Sequence, residues 1–148
     1  MRSLALRTGI VCLFLHFCAP LQADEGAADL KRLEGRYERT FQNAAGTTFR
    51  SIHEFAGDQS LITTYDDVGQ IIASHTSTIK VEKQGPVRVL SFFNLLVTAG
   101  EKKGHIQAGT SSYIYRLEGD HFIECWGMLE GDAAKPGMWV WKRIKDTP

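Results

Sequence analysis

The sequence predicts an all-β fold, an eight-stranded antiparallel up-and-down barrel preceded by a short helix. Three observations carry that expectation. From residue 36 onward, side chains alternate with period two over most of the chain. Clusters of Gly, Asp, Asn and Pro interrupt the alternation at short, even intervals, and these are the residues that supply turn conformations. No stretch of helical periodicity long enough for a crossover separates two strands, which excludes a parallel α/β sheet.

The first element is the helix. In "DEGAADLKRLEG" acidic residues open the segment, Leu30 and Leu33 follow at helical spacing, basic residues sit near the end and Gly35 stops it. Strands are expected near 36–42, 47–55, 60–66, 70–82, 87–98, 105–117, 121–129 and 138–145. In the second, Phe49, Ser51, His53 and Phe55 share a face, and in the fourth Ile71, Ala73, His75, Ser77, Ile79 and Val81 do so. Between the strands lie "NAAG", "AGDQ", "DDVG", "KQGP", "AGEKKG", "LEGD" and "EGDAAKPG". Leu-Glu-Gly occurs three times, at unequal intervals and always at a strand boundary, so it marks turns and is not a repeat. Consecutive antiparallel strands either close or leave two long edges, and a closed meander is the simplest solution; a two-sheet sandwich is the alternative.

Residues 1–23 read as a secretory leader: Arg2 and Arg7, an apolar run from Gly9 to Ala19, then small residues before Asp24. The run is shorter than the roughly 20 residues a membrane span needs, so no span is expected. A secreted or periplasmic location follows, with residues 24–148 as a single domain. The chain carries 17 basic and 17 acidic residues with no basic run, which argues against a nucleic-acid partner. Cys12 and Cys18 leave with the leader, so Cys125 stands alone; it is either buried or pairs between chains.

Leu33-Glu34-Gly35-Arg36-Tyr37 at the start and Trp141-Lys142-Arg143 at the end carry a resemblance. With the helix before them and a meander between, they resemble the lipocalin-like, or calycin, barrels of the small secreted bacterial type. The resemblance implies that the aromatic residue two places after Gly35 closes one barrel end and that a basic residue of the last strand packs on it. Tyr37 stands where that family usually has Trp, and Arg143 is the matching base. The small secreted bacterial domains of this kind have no assigned activity, so the resemblance implies a fold and not a function.

The densest candidate site is "SSYIYRLEGDHFIECWG" (111–127). Tyr113, Tyr115 and Leu117 share one strand face, and Phe122, Glu124, Trp126 and Met128 share another. If both point inward, they form an aromatic wall holding one carboxylate, which needs a partner or a raised pKa. Tyr113, Tyr115 and Trp126 then grip an apolar ligand while Glu124, with His53 or His75, fixes its polar end; the plainer reading makes the aromatics ordinary core. The four histidines after the leader, His53, His75, His105 and His121, have no metal-ligand spacing, so no metal and no cofactor are expected. No nucleophile elbow, phosphate loop or dinucleotide fingerprint is present.

Strand 87–98, "VRVLSFFNLLVT", is apolar on both faces, which requires cover on both. The helix, a second copy of the chain or another partner would supply it. The sequence therefore points first to a non-enzymatic protein binding a small apolar or amphipathic molecule inside a barrel. It leaves two alternatives. One is an envelope-structural or interaction module with a filled barrel, acting through an outer face around Phe92 and Leu96. The other is an acid–base enzyme using Glu124 and a histidine.

Overall fold

A computed structural model describes residues 25–129, 131, 132 and 134–145, so the expected leader lies outside the described residues. Helix α1 (Glu25–Leu33) precedes strands β1 (Gly35–Gln42), β2 (Thr48–Ala56), β3 (Gln59–Tyr65), β4 (Ile71–Gln84), β5 (Val87–Ala99), β6 (Ile106–Gln107), β7 (Ser111–Glu118), β8 (His121–Trp126) and β9 (Gly137–Arg143). All pairings are antiparallel, and β1 pairs with β9 while β4 pairs with β5. The sheet therefore closes on itself. Both β6 and β7 pair with β5, as Leu95 opposite Gln107 and Phe92 opposite Ser111 show, so they are two pieces of one strand. The result is an eight-stranded barrel, with the strand expected over 105–117 broken at 108–110 and the one expected over 121–129 ending at Trp126.

One end of the barrel is solid. Tyr37, Phe55, Leu90, Tyr115, Phe122 and Trp141 pack there with Leu33 of α1, and all are buried. Each aromatic ring removes roughly 150–250 Å² from water, on the order of 4–6 kcal/mol at about 25 cal/mol per Å². Because Leu30 and Leu33 face this cluster, α1 caps the barrel end. Asp29 of α1 is buried and pairs with Arg88 of β5 and, at 3.3 Å, with Arg32.

The last strand locks the cap. Arg143 lies over the Tyr37 ring at 4.6 Å and donates to the Tyr37 hydroxyl, to the Glu34 carbonyl at 2.7 Å and to the Arg32 carbonyl at 2.9 Å. One guanidinium thus joins the helix end, the first strand and the last strand. Burial raises the Tyr37 pKa, and the positive charge of Arg143 works against that rise. Gly35 makes room for this contact: its φ is +126°, and an added Cβ would lie 2.5 Å from Arg143 Nη1.

Part of the double-sided apolarity of β5 comes from a β-bulge, while Val89, on the parity opposite to Leu90, is buried as well. Thr78 pairs with Phe93 but Thr76 pairs with Leu96, so Asn94 and Leu95 together stand opposite Ser77 in a β-bulge. Asn94 takes φ 53°, a left-handed conformation that Asn tolerates better than most residues. Before the bulge Leu90 and Phe92 point inward; after it Leu95 does. An outer face around Phe92 is therefore corrected: Phe92 is a core residue, and of that pair only Leu96 is exposed. Val68, Ile71, Ile72 and Ile106 are exposed as well.

Gly35→Ala should destabilise the fold by about 1–3 kcal/mol, through the strained φ and the displaced Arg143. Urea denaturation followed by tryptophan fluorescence checks it, and an unchanged midpoint would show that the Arg143 contact is not specified by Gly35.

Candidate functional site

The other end of the barrel is open. Its inward positions are small or polar at several points, including Ser51, Thr64 and Ser111, and the space they leave is a cavity of about 310 Å³. Its walls and floor also include Arg39, His75, Phe92, Leu95, Tyr113, Glu124, Trp139 and Trp141. The volume equals about ten water molecules, at the small end of ligand pockets.

Glu124 is the buried acid of the site. It is 2 % exposed, with Oε1 accepting from Trp141 Nε1 at 3.1 Å and Oε2 buried without a hydrogen-bond partner. Burial pushes its carboxyl up to about 7, opposed by the Trp141 hydrogen bond and by the positive charge of Arg39. Arg39 is the other charged wall. Its guanidinium lies 4.2 Å from the Trp139 ring, 4.4 Å from Phe41 and 4.8 Å from Trp141, and its Nε is buried without a hydrogen-bond partner. Burial draws the Arg39 pKa down, against the pull of Glu124. An arginine side chain nevertheless stays protonated in proteins.

The residues singled out from the sequence fall at different heights. Tyr113, His75 and Glu124 line the cavity. His53 lies below it, fully buried, its Nε2 paired with Ser60 Oγ at 2.7 Å and its ring 4.0 Å from Phe55 and 5.2 Å from Trp141. Burial holds its pKa well below the ordinary histidine value, with His75 and Arg39 acting in the same direction. Burial also lowers His75. Tyr115 belongs to the solid end, where it borders a groove with Asp29 and Arg88. Trp126 stacks on Trp139 at 4.5 Å and lies across Gly137, where an added Cβ would fall 2.1 Å from its ring. Trp126 therefore backs a cavity wall without lining the cavity, and Met128, beyond the strand end, is exposed.

Sequence reasoning passed over Arg39, Trp139 and Trp141. The signal was present: Arg39 lies between Tyr37 and Phe41 on the same strand parity, a charged residue on an inward aromatic stripe. Among the described residues no three His, Cys, Asp or Glu side chains converge to hold a metal. Cys125 has the outward parity of β8, opposite Ile114 and Met138, and is half-buried with a free thiol.

Fold and site together define a closed β-barrel with one capped, aromatic-filled end and one open cup that holds a buried carboxyl, Glu124, and a half-buried cation, Arg39. No protein-family model, no curated protein and no solved structure matches the chain.

The raised Glu124 pKa has a stability consequence. The folded chain keeps a proton that the unfolded chain releases, so this contribution is complete below about 4.5 and is lost as pH rises through about 7. His53 acts with the opposite sign, because below the ordinary value of 6.5 the unfolded chain takes up a proton that the buried ring refuses. Glu124→Gln should isolate the first effect. Its stability should match the parent near the acid end and exceed it by roughly 3 kcal/mol above neutrality. Urea denaturation of both proteins across this range reads the difference; a gap that does not change with pH would mean that Glu124 titrates normally.

Proposed function

We propose that this chain is a secreted or periplasmic, lipocalin-like binding protein, without catalytic activity of its own, that holds one small amphipathic molecule in the open half of its barrel. The observation that carries the reading is the cavity itself. It combines an aromatic wall, formed by Phe92, Tyr113, Trp139 and Trp141, with buried polar atoms that no protein group satisfies. Buried polar groups are almost always paired, so unpaired ones on residues that line a cavity fit a ligand that completes them. The leader pattern of residues 1–23 supports the location, and the closed meander with Arg143 on Tyr37 supports the family resemblance.

Native mass spectrometry of the protein purified from its own host, before and after solvent extraction, tests the reading. The expected result is the loss of one small organic molecule per chain. Identical masses, with tryptophan fluorescence that no small amphiphile alters, would sink it.

One observation favours a second reading. Glu124 and His75 line the same cavity, and a carboxyl at about 7 suits proton transfer at neutral pH. Turnover of a candidate ligand, abolished by His75→Ala and by Glu124→Gln alike, would separate acid–base catalysis from stoichiometric binding.

A further inference from the structure

Two residues that line the cavity, Arg39 and Glu124, each carry a buried polar atom without a partner, and these bear on the polar end of what it takes. Arg39 on β1 and Glu124 on β8 flank β9, and Arg39 Nε and Glu124 Oε2 make no hydrogen bond to each other or to any other group. We infer that the cavity takes a small monocarboxylate with an apolar or aromatic body, one carboxylate oxygen accepting from Arg39 Nε–H and the other from the protonated carboxyl of Glu124. This rests on the ligand-binding reading and specifies its chemistry.

The charge balance of the cavity supports an anion. Arg39 cannot discharge, and burial favours the neutral form of Glu124. The other titratable groups around Glu124 are His53 on β2, His75 on β4, and Tyr113 and Tyr115 on β7. Burial drives all four toward their neutral forms. From β9 and β5 the neighbours are Trp139, Trp141, Phe92 and Leu95, which carry no charge. With Glu124 protonated the cavity therefore holds one positive charge, and both unsatisfied atoms are donors. A carboxylate supplies one negative charge and two acceptors. A cation would instead meet Arg39, which already covers the faces of Trp139 and Trp141.

Size limits the body. A cavity of 310 Å³ holds on the order of ten non-hydrogen atoms, a single ring or a short chain, which excludes a long acyl chain lying wholly inside. The proton enters the arithmetic as well. Above about 7 the empty site has lost the Glu124 proton and must regain it to receive the anion, so binding takes up close to one proton there. Affinity should be level below that point and weaken by about tenfold per pH unit above it.

Isothermal titration of the purified protein with phenylacetate, phenylacetamide and phenethylamine, at about one pH unit either side of neutrality and in two buffers of different ionisation enthalpy, tests the inference. Phenylacetate should bind most tightly, with proton uptake approaching one per molecule on the alkaline side. Glu124→Gln should still bind it, because the amide N–H donates, but without proton uptake and with a flat pH dependence. Arg39→Met should weaken it by about tenfold or more. If that variant does not fold, Arg39→Lys, which keeps the charge without the Nε–H, should bind less tightly and still prefer the acid to the amide. The amide or the amine binding as well as phenylacetate, or phenylacetate binding without proton uptake on the alkaline side, overturns the inference and leaves the cavity reading standing. Failure of all three to bind also overturns it, and the extraction experiment then decides the cavity reading on its own.

Discussion

Closing eight strands into a ring leaves an interior just wide enough for its own side chains or one small ligand. Every other feature of this molecule follows from how the inward residues divide that narrow space. Where they are Tyr37, Phe55, Leu90, Phe122 and Trp141, the barrel is solid and α1 has an apolar surface to sit on. Where they are Ser51, Thr64 and Ser111, the same ring of backbone encloses a cup. The hollow is therefore not an opening between domains or under a loop. It is the level of the barrel at which inward side chains become small.

The boundary between the two levels sets the electrostatics. Trp141 belongs to both: its ring is part of the solid end, and its indole N–H reaches Glu124 at the cavity floor. The aromatic layer beneath excludes water, and that exclusion raises the Glu124 pKa and holds His53 neutral. Arg39 tolerates the same surroundings because its flat, weakly hydrated guanidinium can stack on rings. A lysine at that position would bring a compact, strongly hydrated charge that has no such accommodation.

Much of this was legible in the chain. Period-two alternation and turn clusters located the strands to within a few residues, because a barrel with one buried face must write that face into its sequence. The residues of the Gly35, Tyr37 and Arg143 closure were visible at the two ends, and Glu124 stood out as a carboxylate on an aromatic face. What alternation does not encode is height along the barrel axis. Tyr113 and Tyr115 share one parity, yet one lines the cup and the other the solid end, since strand tilt and stagger decide which inward residues share a level. His53 and His75 part in the same way. The bulge at Asn94 was illegible for another reason: an inserted residue preserves local composition while reversing the faces beyond it, so Leu95 read as lying opposite Leu90 and Phe92. Trp126 was placed on the correct face, but its ring folds across Gly137, a path open only because the neighbouring strand offers bare backbone there.

The bulge also gives the barrel an uncoupled adjustment. Ironing out the bulge with Asn94 kept, so that Asn94 stood opposite Ser77 and Leu95 opposite Thr76, would exchange the orientations of Leu95 and Leu96 and leave Leu90 and Phe92 where they are. The lip of the cup can thus be remodelled by the register of a single strand beyond Asn94 while the capped end keeps its packing.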